Sequence, residues 1–155
     1  MIHEYATTIE WTGNTGAGTA GYTTYERSHT IRTQLKADIE ASSDPHFRGD
    51  AGKHNPEELF LAAIASCHML WYLHLCADAG IIVTSYMDEA AGQMETGKDG
   101  SGQFKRIVLS PQVRITELSR KAEAEALHHR AHEMCFLARS VNFTIDVQAS
   151  TQGAA

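Results

Sequence analysis

The stretch Asn55–Gly80, NPEELFLAAIASCHMLWYLHLCADAG, decides the fold. It opens with helix-start chemistry. Asn55 can accept a hydrogen bond from a free N–H of the first turn, and Pro56 suits the first helical position, where no N–H is needed. Glu57 and Glu58 place negative charge at the positive end of the helix dipole, and Glu58 stands where a capping box needs it. Gly80 provides a stop. Between these signals the sequence predicts roughly 24 helical residues, long for a globular helix. From Leu59 to Ala77 no residue carries a formal charge, and nearly every side chain is apolar. A helix that is apolar on all sides is either the buried centre of a domain or a membrane span. His68 and His74 are costly in lipid, and the near flanks, Glu57, Glu58 and Asp78, are acidic rather than basic. The stretch therefore reads as a central helix wrapped by protein, with Cys67 at its middle and no membrane as partner.

Working outward, 155 residues suffice for one domain, residues 1–155, with a real core. A hydrophobic content of 43% excludes a disordered chain, and a net charge of −6 disfavours nucleic acid as partner. No basic-then-apolar leader opens the sequence, and three cysteines do not suit a disulfide framework. Reduced thiols in a cytoplasm are the expectation.

Before the long helix, Ile2–Trp11, Tyr22–Thr33 and Gln34–Ala41 read as strands, the first two separated by the Gly/Thr-rich turn 12–21. Ser42–His54 has turn chemistry throughout and reads as a loop long enough to be functional. After the helix, Ile81–Met94 and Gln103–Thr116 read as two strands of a hairpin turning at 95–102. Ser119–Ser140 reads as a second helix and Val141–Gln148 as a last strand, with Thr151–Ala155 as a frayed tail. In the second helix, Ala122, Ala126, His129 and Glu133 fall on one helical spacing. Leu118, Ala131, Cys135 and Ala138 fall on another. The order βββ-α-ββ-α-β indicates an α+β fold with antiparallel sheets.

Cys67 is the first chemical candidate. A thiol within a helix is often no more than a small buried hydrophobe, and Cys76 fits that reading. Cys76 lies about 180° round the helix from Cys67 at about 100° per residue, so the two cannot serve one site in one chain. Cys135, on the second helix, can meet one of them. A second candidate is His128, His132 and Cys135, whose spacing puts three metal-capable side chains on one helical face. With nine histidines in the chain such spacings arise by chance, and no closed ligand set is visible, so no metal is assigned.

The run Asn55-Pro56-Glu57-Glu58-Leu59, an Ala-rich helix with Cys67 at its middle, and an Ala-His-x-x-Cys ending at Cys135 together resemble the OsmC/Ohr family, the osmotically inducible and organic hydroperoxide resistance proteins, in an OsmC-like version. The resemblance covers nearly the whole chain. It implies an intertwined homodimer with antiparallel sheets enclosing two long helices. It also implies a cysteine-based, non-haem thiol peroxidase of the peroxiredoxin type, acting in the oxidative stress response. Its substrate would be an organic hydroperoxide, with hydrogen peroxide as a further candidate. Cys67 matches the peroxidatic cysteine, Cys135 the resolving one, Glu57 the motif glutamate, and Arg48 the arginine of the preceding loop. Arg27 and Arg32 are weaker candidates for that arginine. No cofactor is implied beyond an external dithiol or lipoyl-type reductant. Two positions depart from the family pattern: Phe136 stands where a Pro often follows the second Cys, and His68 where an aromatic often follows the first. The alternative is a metal- or small-ligand-binding stress protein on the same fold.

The chemistry this implies sets its own demands. Only a thiolate attacks a peroxide. Cys67 lies roughly 18 Å along the helix from Asn55 at 1.5 Å per residue, too far for the helix dipole to help. A cation is needed, and Arg48 held by Glu57 would supply one. Glu57 and Cys67 are separated by roughly 15 Å along one helix. A two-fold partner is therefore expected to bring Glu57, with Arg48, to the Cys67 of the other subunit.

Overall fold

The computed structural model describes residues 1–154. Its chain contacts fall into two units, Met1–Phe60 and Leu61–Ala155, and the boundary lies inside the long helix.

In the first unit three short strands, β1 (Thr8–Trp11), β2 (His29–Arg32) and β3 (Ile39–Ala41), form an antiparallel sheet in that order. All three are shorter than the sequence suggests, and between β1 and β2 the chain is held by side chains instead of ladder bonds. Trp11 Nε1 donates to the Glu26 carbonyl, and Asn14 Oδ1 accepts from the N–H groups of Gly16 and Gly18. The loop before the long helix is likewise ordered. Asp44 caps a 3-10 turn over Pro45–Phe47, and Arg48 follows with φ 65°. Gly49 then passes so near Ser43 that a Cβ would lie 1.5 Å from its carbonyl oxygen, so only glycine fits there. Ser42 donates its N–H to the His54 carbonyl, closing the loop.

The long helix, α1, spans Pro56–Asp78. The capping box is present: Glu58 N–H donates to Asn55 Oδ1 at 2.9 Å, and Asn55 N–H to Glu58 Oε2 at 3.3 Å. Such a cap contributes about 1 kcal/mol. At the other end Gly80 takes φ 68°, and Arg120 donates to the carbonyls of Ala79 and Gly80. By length and composition α1 could cross a membrane. It instead turns one stripe, Ile64, His68, Tyr72 and Cys76, into protein. These residues repeat every four positions, which places them on one face.

The second unit contains two three-stranded sheets. One has the order β4 (Val83–Asp88), β7 (Pro111–Ile115), β9 (Ser150–Gly153), and the other β5 (Ala91–Thr96), β6 (Gly102–Leu109), β8 (Thr144–Val147). The β4–β7 and β5–β6 pairs are antiparallel, but β6–β8 and β7–β9 are parallel, so the sheets are mixed and not purely antiparallel. The two long strands expected over 81–94 and 103–116 are each divided. The hairpin bends where Asp88 Oδ1 accepts the Ser110 N–H, leaving its base in one sheet and its tip in the other. The expected frayed tail is also corrected. Ser150–Gly153 pairs with β7, and Thr151 is buried, while Ala155 lies outside the described residues.

The second helix, α2, is Lys121–Met134, shorter than expected because 3-10 turns occupy Leu118–Arg120 and Ala138–Ser140. Its buried residues are Ala124, His128 and Ala131, followed by Cys135 at the cap. Of the two spacings read from sequence, the one through Ala131 and Cys135 is the buried one, and Ala122, Ala126, His129 and Glu133 face water. One apolar cluster gathers Tyr72, Cys76, Ile81, Val113, Ile115, Ala124 and Ala131. Another gathers Ile64, Ile107, Leu109 and Ile145. Each large side chain so buried contributes about 1.5–3 kcal/mol.

Candidate active site

Cys67 is half-buried on the flank of α1's inward stripe, and Cys135 is fully buried at the end of α2. The Cys135 thiol lies near enough to the Cys67 thiol for Cys67 to help push it up. Cys135 therefore meets Cys67 and not Cys76. Cys76 is buried in the first apolar cluster, where burial pushes its thiol above the usual range.

Cys135 is where α2 stops. Its N–H still bonds the Ala131 carbonyl at 2.9 Å, but its backbone is extended, with φ −66° and ψ 113°. The chain then enters a turn in which the Ala138 N–H donates to Cys135 Sγ at 3.4 Å. The helix thus ends without a proline, and Phe136 takes the next place. Burial first, and then the shared contact with Cys67, push the Cys135 thiol up to about 11. Cys135 is a protonated thiol at neutral pH, held against its neighbour.

Trp71 lies one helical turn beyond Cys67. It meets Phe136 edge-to-face at 5.5 Å and His74 at 5.7 Å. Leu70, Trp71 and His74 line a shallow apolar cavity of about 200 Å³. Leu70 and Phe136 are 62% and 66% exposed, so this flank of α1 is uncovered in the single chain.

His68 does not join that wall. It points inward, 1% exposed, and its Nε2 makes a 3.0 Å hydrogen bond with His128 Nδ1 on α2. Tyr72 stacks on the His128 ring at 3.8 Å. Burial above all lowers both imidazoles, His68 to about 4 and His128 to about 3, with His132 adding to the effect on His68 and His68 to that on His128. Both are therefore neutral at pH 7, one donating and the other accepting. Sequence reasoning treated His68 as a departure from a pattern and missed this pairing. The signal was available in the four-residue repeat Ile64, His68, Tyr72, Cys76.

The three-residue set on α2 does not converge. His128 bonds His68, Cys135 lies near Cys67, and the open cavity of about 410 Å³ that His128 and His132 both line with Glu125, His129 and Asp146 does not include Cys135. Among the described residues no group of three His, Cys, Asp or Glu side chains could hold a metal ion.

Arg48 and Glu57 belong to the first unit. Arg48 is exposed and lines a cavity of about 270 Å³ with Glu26, Arg27, Ser28, Ser42, Gly49 and Asp50. Glu57 stands in the first turn of α1, and its Oε2 is buried without a hydrogen-bond partner. Among the described residues of the single chain the two form no ion pair. The two alternative arginines are engaged with other groups. Arg27 lies over the rings of Tyr22 and Tyr25 and donates to both their carbonyls, and Arg32 pairs with Glu10 and Asp38.

The family model described as OsmC-like protein matches residues 49–150. An OsmC-like protein of unknown function from Vibrio cholerae is 31% identical, with a TM-score of 0.86 over 96% of this chain and 100% of its own. Two further structures share the fold. An organic hydroperoxide resistance protein from Elizabethkingia anophelis, with thiocyanate bound, is 17% identical, with a TM-score of 0.69 over 99% of this chain and 100% of its own. An organic hydroperoxide resistance protein OsmC from Legionella pneumophila is 24% identical, with a TM-score of 0.64 over 97% and 99% of the two chains. No curated protein sequence matches the chain.

Proposed function

This chain belongs to the OsmC-like family, and we propose that within it the protein is a cysteine-based peroxidase that reduces organic hydroperoxides. The observation that carries the reading is the meeting of the Cys67 and Cys135 thiols at the α1–α2 contact. A half-buried thiol beside a fully buried one suits a pair in which the first meets substrate and the second waits. The Cys67 thiolate attacks the distal oxygen of ROOH. The O–O bond breaks, Cys67 becomes a sulfenic acid, and the alkoxide takes a proton and leaves as ROH. Cys135 gives up its proton and attacks the Cys67 sulfur. The disulfide forms, and hydroxide leaves with that proton as water. A dithiol, such as a lipoyl-type reductant, then exchanges with the disulfide and is itself oxidised.

Arg48 is the proposed cation for the Cys67 thiolate and Glu57 the group that aims it. The partnerless buried oxygen of Glu57 supports a ligand from outside its own chain, since an unsatisfied buried carboxylate is costly. The uncovered apolar flank of α1 supports a second copy as the source, in a homodimer. Trp71, Leu70 and Phe136 would then favour an apolar R group over hydrogen peroxide. The reduced thiols such a cycle needs fit a cytoplasmic setting. The test is steady-state consumption of cumene hydroperoxide with dihydrolipoamide as reductant. Turnover lost in Cys67→Ser is expected, and no turnover by the intact protein would remove the proposal.

A further inference from the structure

Two rungs connect α1 to α2, and the thiol cycle uses only one of them. The first is Cys67 with Cys135. The second is His68 with His128. On α1 the two rungs are consecutive residues. On α2 they stand seven residues apart, about two turns at 3.6 residues per turn, and so share a face. His68 and His128 have nearly parallel rings, 6° apart, and the ring edges meet at 3.0 Å. Tyr72, one turn beyond His68, covers the His128 face at 3.8 Å and 9°. His128 is thus held at its edge and on its face by two residues of α1.

We infer that His128, through its bond to His68, is the positioning residue that sets the helix register in which Cys67 and Cys135 can form a disulfide. Apolar contacts hold helices together without fixing their slide or rotation, whereas a hydrogen bond is directional. Breaking this one in a buried setting would leave further imidazole nitrogens unsatisfied, beside His68 Nδ1 and His128 Nε2, which already lack partners. Disulfide closure is demanding in turn, with Cα atoms about 4.4–6.8 Å apart and the Cβ vectors facing. Cys135 needs an anchor of this kind because α2 ends there and its own backbone is extended. The nearest polar anchor on the buried face of α2 is His128, with the small Ala131 between them.

The inference rests on the proposed thiol chemistry for its use but not for its test. The Cys67–Cys135 disulfide is equilibrated with reduced and oxidised glutathione in full-length protein carrying Cys76→Ser. His128→Leu, which keeps bulk and removes the bond, is expected to lower the exchange constant at least about tenfold, a shift of about 30 mV for a two-electron couple. His128→Asn, which keeps a polar atom near the Nδ1 position, recovers most of it. In His128→Leu the Cys67 sulfenic acid forms at the parent rate, and dimedone traps it in greater yield because Cys135 no longer closes on it as readily. Urea unfolding of each variant separates register from stability. An unchanged constant in His128→Leu overturns the inference. So does an equal loss in the Leu and Asn variants, or a parent protein that forms no Cys67–Cys135 disulfide with glutathione. Should hydroperoxide fail to oxidise the parent while glutathione exchange still depends on His128, the peroxidase reading falls and the clamp stands.

Discussion

Acid should open the His68–His128 pair, and the cost can be worked out. Both imidazoles are buried, at 1% and 3% exposure, and both are held well below the ordinary histidine value, chiefly by that burial. In the unfolded chain each titrates near 6.5. Between about pH 6.5 and 5 the unfolded state therefore takes up protons that the folded state refuses. Stability from the pair is fully present above 6.5 and falls as the pH drops, most of it gone by the folded values of about 4 and 3. Each group contributes about 1.4 kcal/mol per pH unit, so the two together give a slope of about 2.7 kcal/mol per unit. From pH 6.5, where the unfolded imidazoles are half protonated, to pH 5 the loss is roughly 3 kcal/mol, a large part of a typical total of 5–15 kcal/mol. The assay is urea unfolding across that range at fixed protein concentration, with the double variant His68→Gln/His128→Asn alongside. The variant keeps polar groups at the contact but cannot titrate. Surface carboxylates and the other histidines cancel in the comparison. Equal slopes for the two proteins would refute the buried neutral pair.

Arg48→Met is expected to leave the unfolding midpoint within about 0.5 kcal/mol of the parent, because the side chain is exposed, while slowing peroxide reduction by about two orders of magnitude. Unchanged kinetics in Arg48→Met, with loss in Arg27→Met or Arg32→Met, would move the cation to another arginine. Glu57→Ala chains co-refolded with Cys67→Ser chains should regain activity if the site is shared between subunits, since a mixed dimer holds one complete site. Properly formed mixed dimers without activity would show that each site is built within one chain. Cys76→Ser should cost about 1–3 kcal/mol of stability by placing a hydroxyl in the apolar cluster, and leave turnover unchanged. A large kinetic defect there would put Cys76 in the cycle.

Much of this architecture is visible in the residues. The Asn55–Glu58 box and Gly80 mark both ends of α1, because caps are local chemistry. The division of the long hairpin strands does not show in the sequence, because alternation continues through Ser110 and the bend depends on the distant Asp88 carboxylate. The strand β9 is not legible in the pattern because Ser150–Gly153 is polar and small, and its order comes from pairing with β7. At the site, position alone leaves open which thiol of α1 Cys135 meets, and it is the family resemblance that implies Cys67. The histidine pair does not, since a polar residue in an apolar run reads as an exception until its partner on another helix is known. Arg48 and Glu57 could be named by motif, yet within one chain they remain unpaired.

The measurement that bears most directly on the account is a peptide map after one equivalent of cumene hydroperoxide has been added to the fully reduced protein. The account predicts loss of two thiols, a single disulfide joining the Cys67 and Cys135 peptides of one subunit, and Cys76 recovered as a free thiol. A disulfide that includes Cys76, or three thiols surviving the treatment, would contradict it.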